Sequence, residues 1–416
     1  MALDGGAAKA PETFSTVFAI REFRALWLAQ VLSVLGDQLA RVALTLLVYD
    51  RTRSALLAAL TFAASVVPTF VGGVTLAGLA DRLPRRQVMI ACDLARMALV
   101  LMMIIPGLPL AVLVLLLFLV TVVSTPFTSA RAALYPDILP GGSFELGTAV
   151  TLTTYQFAQV AGFAGGGTVV GLFGVRPSLL GDAATFAVSA LVIRLSVRSR
   201  PAPRIPEGSS AGPRMGFGSG IRLVFGNPAL RAPMLLGWLA AFYNAPEGVA
   251  APLARALGAG AFATGLILAA EALGAAAGAI AFSRLLSPPV RAALMRPLAI
   301  ASCFVLVPFA LGPGLPVALV ILFVSGLFDC FQVAAVAAFV RATPDQQRSQ
   351  AFGLAQAGMS LSQGTAMVLA GLVAQHHSPS TAVALAGVIG TVAAIAIAVS
   401  PASPQPPGTP GSPLVR

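Results

Sequence analysis

Charge is what this sequence has least of. Asp, Glu, Lys and Arg make up 10% of its 416 residues, against roughly 25% in a soluble domain. That is too little to coat a globule in water, which excludes an ordinary cytosolic enzyme. Lysine is nearly missing, with Lys9 alone, yet arginine is frequent enough to leave a net charge of +11. The basic residues are strung between apolar blocks rather than clustered, so no nucleic-acid partner is expected. Cysteine is scarce too. Cys92, Cys303 and Cys330 fall inside apolar stretches without C-x-x-C spacing, which argues against a disulfide framework or a thiol metal site. The histidines, His376 and His377, leave almost nothing for imidazole chemistry. No G-x-x-x-x-G-K-[ST] appears, so ATP bound at a P-loop is not the energy source. No cofactor and no metal are expected.

What is present is apolar: 57% hydrophobic residues and a mean hydropathy of +0.89. A spanning helix needs about 20 mainly apolar residues. Twelve such runs, separated by charged or Pro/Gly punctuation, can be read along the chain. The first six centre near Ser33, Ser65, Val100, Leu117, Gly162 and Ala187; the second six centre near Ala241, Leu273, Phe304, Val324, Gly364 and Ile389. Pro68, Pro126, Pro246 and Pro308 lie within spans, where kinks are tolerated if neighbours satisfy the freed backbone. The expectation is an all-α membrane protein with twelve transmembrane helices in two six-helix bundles.

Its expected parts are a cytoplasmic segment over 1–24, bundles over 25–196 and 230–400, a linker over 197–229 and a disordered tail over 401–416. The first segment is polar and lacks the short apolar core of a cleavable signal. The linker carries Arg198, Arg200, Arg204, Arg214 and Arg222, and the tail is rich in Pro, Gly and Ser. With both termini cytoplasmic, the outer segments hold only Arg51, Arg53, Arg176 and Arg255, and nearly all other arginines fall inside. The halves also echo each other. A shift of about 207 residues lays Arg24-Ala25 on Arg231-Ala232, and nearly the same shift lays Pro136-Asp137 on Pro344-Asp345.

The sharpest local motif follows the second span: Gly78-Leu79-Ala80-Asp81-Arg82-Leu83-Pro84-Arg85-Arg86. It resembles the G-x-L-A-D-R-x-G-R-R signature of the major facilitator superfamily, with Ala77 at the first glycine position and Pro84 at the second. The segments FRALWLAQVLSVLGDQLARVAL, TSARAALYPDILP and RSQAFGLAQAG are similar to a branch of bacterial exporters related to macrolide efflux and enterobactin export. The resemblance implies a secondary transporter, not an enzyme, working as a monomer in the cell membrane. It also implies that Gly78, Asp81, Arg82, Arg85 and Arg86 form a cytoplasmic gate. The spacing of Asp93 and Arg96, with Arg131 near the same face, adds an ion-pair cluster to that gate.

Ionisable groups within spans cost on the order of 3 kcal/mol each at a helix centre, so they point to function. Asp37 and Arg41 lie one turn apart and read either as a mutually neutralising pair or as a proton site. Glu271 lacks a basic neighbour in its own span and is a further proton-coupling candidate, with Asp329 a second and Glu247, nearer the outer face, a third. Asp182, near the outer end of the sixth span, is left unassigned. Gln30, Gln38, Arg41, Tyr155, Gln156, Gln159, Trp238, Tyr243, Asn244, Gln332 and Gln356 are candidates to line a substrate cavity. Gly162, Gly165, Gly166, Gly167 and Gly171 serve helix packing or an antiporter-type fifth span equally well.

The function that the resemblance implies is proton-coupled export of a small amphipathic compound such as an antibiotic or siderophore, by alternating access. Its partners are that small molecule, protons and the lipid bilayer. A proton-driven nutrient importer and a non-transporting sensor or scaffold are the rivals. A membrane enzyme acting on lipid-linked substrates would need larger outer loops and more histidines or convergent carboxylates.

Overall fold

The computed structural model describes residues 14–76, 83–139, 143–201, 222, 224–343 and 348–399. Among them all repetitive structure is helical. In the first half the helices are α1 (Phe14–Ala19), α2 (Arg21–Thr52), α3 (Ala55–Ala63), α4 (Pro68–Thr75), α5 (Arg85–Met103), α6 (Leu110–Ile138), α7 (Ser143–Phe173) and α8 (Val175–Ser196). In the second half they are α9 (Pro228–Trp238), α10 (Ala240–Tyr243), α11 (Ala245–Gly248), α12 (Ala250–Ala256), α13 (Ala261–Leu285), α14 (Pro288–Phe304), α15 (Leu315–Phe328), α16 (Phe331–Ala342), α17 (Arg348–His376) and α18 (Pro379–Val399). A 3₁₀ turn, Val307–Leu311, extends α14.

Eight segments of the described chain are long and apolar enough to cross a membrane: 21–52, 110–138, 175–196, 261–285, 288–311, 315–342, 351–376 and 379–399. The other expected spans differ for physical reasons. Helix α5 carries Arg85, Arg86, Asp93 and Arg96, which dilute its apolar length. Gly, Thr and Gln residues do the same in α7. Residues 55–75 and 228–256 are broken into short helices, and proline accounts for the break before Pro68 and the one at Asn244. Pro68 and Pro246 have no N–H to give, and each opens a new helix at its first turn. The joints are closed by tight i→i−3 bonds such as Val66 N to Ala63 O and Glu247 N to Asn244 O. Pro308 likewise begins the 3₁₀ turn, whereas Pro126 sits inside a continuous α6.

Within lipid, helices associate through close packing rather than by leaving water. In the first half, α2 packs on α7 and α8, and α5 packs on α6 and α8; in the second, α13 packs on α15 and α14 on α18. The two most extensive contacts between the halves are α7 with α13, and α3 with α17. The first is backbone against backbone. A Cβ added to Gly167 would stand 2.8 Å from Gly265 Cα, and one added to Gly265 would stand equally close to Gly167 Cα. The second uses Gly371 against Ala59 and Leu56. Gly162 and Gly166 face the other way, onto Gln38 and Leu39 of α2. The glycine run of α7 therefore packs on two faces.

These contacts lie at one end of the molecule. There, Arg255 pairs with Asp50 at 2.9 Å and Ala55 N donates to Gln375 Oε1 at 2.8 Å, both between the two halves. A single apolar cluster at that end combines residues of both halves, including Phe62, Phe163, Leu253, Ile267 and Met367. At the other end the clusters are separate. Val17, Phe23, Met89, Phe127 and Ile193 belong to one, and Val224, Met234, Phe339 and Leu354 to another. Among the described residues, the ion pairs at that end, Glu22–Arg200 and Arg85–Asp137, do not reach the second half.

Candidate functional site

A cavity of about 420 Å³ opens among α2, α5, α6, α7 and α8, with Gln356 of α17 on its far wall. Arg96 is the centre of its charge. The side chain is 1% exposed, yet Nη2 donates to Asp37 Oδ1 at 2.5 Å and Nη1 to Ser33 Oγ at 2.9 Å. Asp93 Oδ1 stands 3.8 Å from Nη1, and the guanidinium lies 4.0 Å from the centroid of Phe186. Asp93 Oδ2 in turn accepts from Ser189 Oγ at 2.6 Å. A buried guanidinium needs its charge and donors met. Helices α2, α5 and α8 together supply its charge partners and its two terminal-nitrogen bonds, leaving Nε unpartnered.

The partner of Asp37 is therefore Arg96 on α5, not Arg41 one turn along its own helix. Arg41 instead donates to Ser65 O at 3.3 Å. That carbonyl is free because Thr69 N, its helical partner, bonds to Val66 O at the break before Pro68. Arg41 thus compensates a broken backbone, and it also lies within electrostatic reach of Glu247.

Arg96, expected at the inner gate, borders the cavity, as does Arg131. Arg131 stands beside Phe127 at 6.0 Å, with its buried Nε unpartnered. Gly78, Asp81 and Arg82 lie outside the described residues. Arg85 donates to Asp137 Oδ2 and to Ala133 O, both at 2.8 Å, and Arg86 donates to Arg194 O. These two arginines tie the start of α5 to the ends of α6 and α8.

Of the expected cavity set, Gln30, Arg41, Tyr155 and Gln356 border the space. Gln38 is buried beneath Gly162 in the α2–α7 contact, and Gln156 and Gln159 are half-buried on α7 away from the cavity. Trp238 Nε1 donates to Ala355 O at 3.0 Å, which fixes α9 to α17. Asn244 ends α10 at the joint before Pro246.

A second polar group lies in the other half. Tyr243 donates its hydroxyl to Asp329 Oδ1 at 2.6 Å, and Gln332 Nε2 donates to Tyr243 Oη at 2.7 Å and to Gly237 O at 3.0 Å. Glu271, 6% exposed, has Glu247 and Asp329 as its charged neighbours. Its backbone carbonyl lies against Gly326, where α13 crosses α15. The structure thus brings Glu247, Glu271 and Asp329 into one electrostatic group, and Asp37 into another with Asp93 and Arg96.

Sequence reasoning left Asp182 without a role, and the structure places it beside Asp37 and Arg96 on the cavity wall. A signal was present. Ser178, Asp182, Thr185 and Ser189 recur at helical spacing and form a polar stripe on an otherwise apolar helix.

A family profile described as "Transmembrane secretion effector" matches residues 13–405. No curated protein matches the chain. Among solved structures, it is similar to a POT family transporter in complex with 5-aminolevulinic acid, with a TM-score of 0.72 and 12% identity over 91% of this chain and 96% of that one. It is similar to a bacterial homologue of the human lysosomal transporter Spinster, inward-facing and unoccupied, with a TM-score of 0.65 and 15% identity over 93% and 96%. A mutant of the nucleoside transporter NupG gives a TM-score of 0.65 and 16% identity over 90% and 99%. At such identities the likeness is one of fold. With the profile covering nearly all of its length, this multi-pass membrane protein belongs to the transmembrane secretion effector family of the major facilitator superfamily of transporters.

Proposed function

We propose that the protein is a proton-coupled exporter of a small amphipathic organic compound, such as an antibiotic or siderophore, working by alternating access. One observation carries this reading: the halves meet in a single apolar cluster at one end, have separate clusters at the other, and flank a charged cavity. In this reading twelve spans form two six-helix bundles, over 25–196 and 230–400, joined by the linker at 197–229. Both termini lie in the cytoplasm, and the protein acts as a monomer in the cell membrane. The arginine distribution supports that orientation. The joined end, at 50–55 and 255–262, is then the outer face, and the molecule is open inward.

Residue roles follow. Substrate enters among Gln30, Arg41, Tyr155, Arg131 and Gln356. Asp37, paired with Arg96 and partly open to the cavity, takes up a proton, and release of Arg96 loosens α2 from α5. Glu271, Asp329 and Glu247 form a second coupling group in the other half. Arg85 and Arg86, with Asp81 and Arg82, hold the inner face in its alternative closed state.

The test is an efflux assay in a drug-sensitive bacterial host that lacks its own pumps. Wild type, Glu271→Gln and Asp37→Asn are expressed at matched membrane levels and challenged with ethidium and an antibiotic panel. Lower accumulation by the wild type, abolished by a protonophore and lost in one acid variant, is the expected result. Expulsion of nothing across a broad panel rules out multidrug export. Greater accumulation than in the empty host would mean import.

A further inference from the structure

The coupling groups above leave one buried acid unused. Asp182 on α8 is 0% exposed, and neither carboxylate oxygen has a hydrogen-bond partner. The neighbouring Thr185 Oγ1 donates to the backbone carbonyl of Asp182 at 2.7 Å. The carboxylate sits against α2 in space that only a glycine leaves free: a Cβ on Gly36 would overlap Asp182 Oδ1. Asp182 also borders the cavity.

The charged and titratable groups around it are few. Helix α2 presents Asp37 and, one turn further along the cavity, Arg41, and α5 presents Arg96 with Asp93 beside it. From α7 only Tyr155 borders the cavity, and from α6 only Arg131. On α8 itself the other charged residues, Arg176 and Arg194, stand near the two ends. Arg96 is already engaged by Asp37 at 2.5 Å and Asp93 at 3.8 Å. Arg41 and Arg131 also border the cavity but pair with none of these acids. Ionising Asp182 would therefore add a third carboxylate to a buried site where one guanidinium already serves two. An isolated buried carboxylate takes up a proton rather than bear that cost.

We propose that Asp182 is a proton-binding site, neutral in this conformation, which exchanges its proton for Arg96 when Arg96 leaves Asp37. The balance is simple. Asp182 gives a proton through cavity water to Asp37, whose side chain is 29% exposed. The N–H bonds of Arg96 to Asp37 break, new ones form to Asp182, and the net charge of the cluster is unchanged. This deepens the proton-coupled reading: Asp37 is the port to water and Asp182 the dry store.

Infrared difference spectra of the full-length protein in lipid nanodiscs, between neutral and alkaline pH, read the carbonyl stretch of protonated acids. The expected result is a band absent from Asp182→Asn and kept in Asp37→Asn. An Asp182→Asn spectrum identical to wild type overturns the proposal. Asn is nearly isosteric with a neutral acid, so this variant should fold with an unshifted Tm. Failure to fold, or a lowered Tm, contradicts a neutral Asp182 just as directly. Ethidium transport by the same protein reconstituted in sealed vesicles separates the two readings: a wild type that moves no ethidium under a pH gradient removes the exporter assignment, while the infrared band still decides the state of Asp182.

Discussion

Arg96 of α5 ties three helices together, because α2 accepts its bonds through Ser33 and Asp37 and α8 reaches it through Phe186 and the Ser189–Asp93 link. Removing one partner of a buried charge pair leaves the other uncompensated, at about 3–5 kcal/mol. Arg96→Ala is therefore expected to lower the Tm of the detergent-solubilised protein sharply. Arg96→Lys should recover only part of it, since an ammonium cannot reach Ser33 and Asp37 as a fork while lying over Phe186. A Tm within a degree or two of wild type for the Ala variant would mean that the pair is incidental. At this scale the sequence was partly legible. It marked Asp37, Glu271 and Asp329 as costly residues with work to do, because an acid in an apolar run is visible without a fold. It could not pair them. The partner of Asp37 lies 59 residues away on another helix, and the i,i+4 neighbour Arg41 was the only one that local spacing could offer.

Among the elements, α7 and α13 are the pair whose contact depends most on having no side chains. A Cβ on Gly167 would lie 2.6 Å from Ala261 O and 2.8 Å from Gly265 Cα. Gly167→Val is expected to leave each half folded but to separate the joined end. In a background carrying Gln356→Cys, an impermeant maleimide added from outside should then label the cavity, whereas with Gly167 intact it should not. Equal labelling in both would show that this crossing does not close the outer face. The glycines were legible as packing residues, but which face of α7 each one used was not. Proline was read with similar limits. Pro68, Pro246 and Pro308 each begin a new helical segment, while Pro126 leaves α6 unbroken, and residue type alone does not separate these outcomes. Restoring an N–H at the α10–α11 joint with Pro246→Ala should favour a straighter helix and slow transport, read as a fall in ethidium efflux at unchanged membrane level. Unchanged efflux would show the joint to be passive.

For the whole molecule, hydropathy was enough to set the class of a multi-pass helical membrane protein. The twelve expected centres fall in helices or at their joints, from Ser33 in α2 to Ile389 in α18. The packing state was not legible, because a sequence that alternates as proposed must encode two closures, and the shared cluster at one end with separate clusters at the other is a single arrangement. Proton-driven export requires the two closures to be coupled to charge, and the cavity places Arg96, Asp37 and Asp182 where a change in protonation can act on α2, α5 and α8 together. The most direct measurement is made on purified protein in sealed vesicles with an acidic lumen, following ethidium and lumenal pH at once. The account predicts that ethidium enters the lumen as protons leave it, and that both movements stop in Asp37→Asn. Ethidium moving in the same direction as the protons, or entering with no gradient imposed, would contradict it.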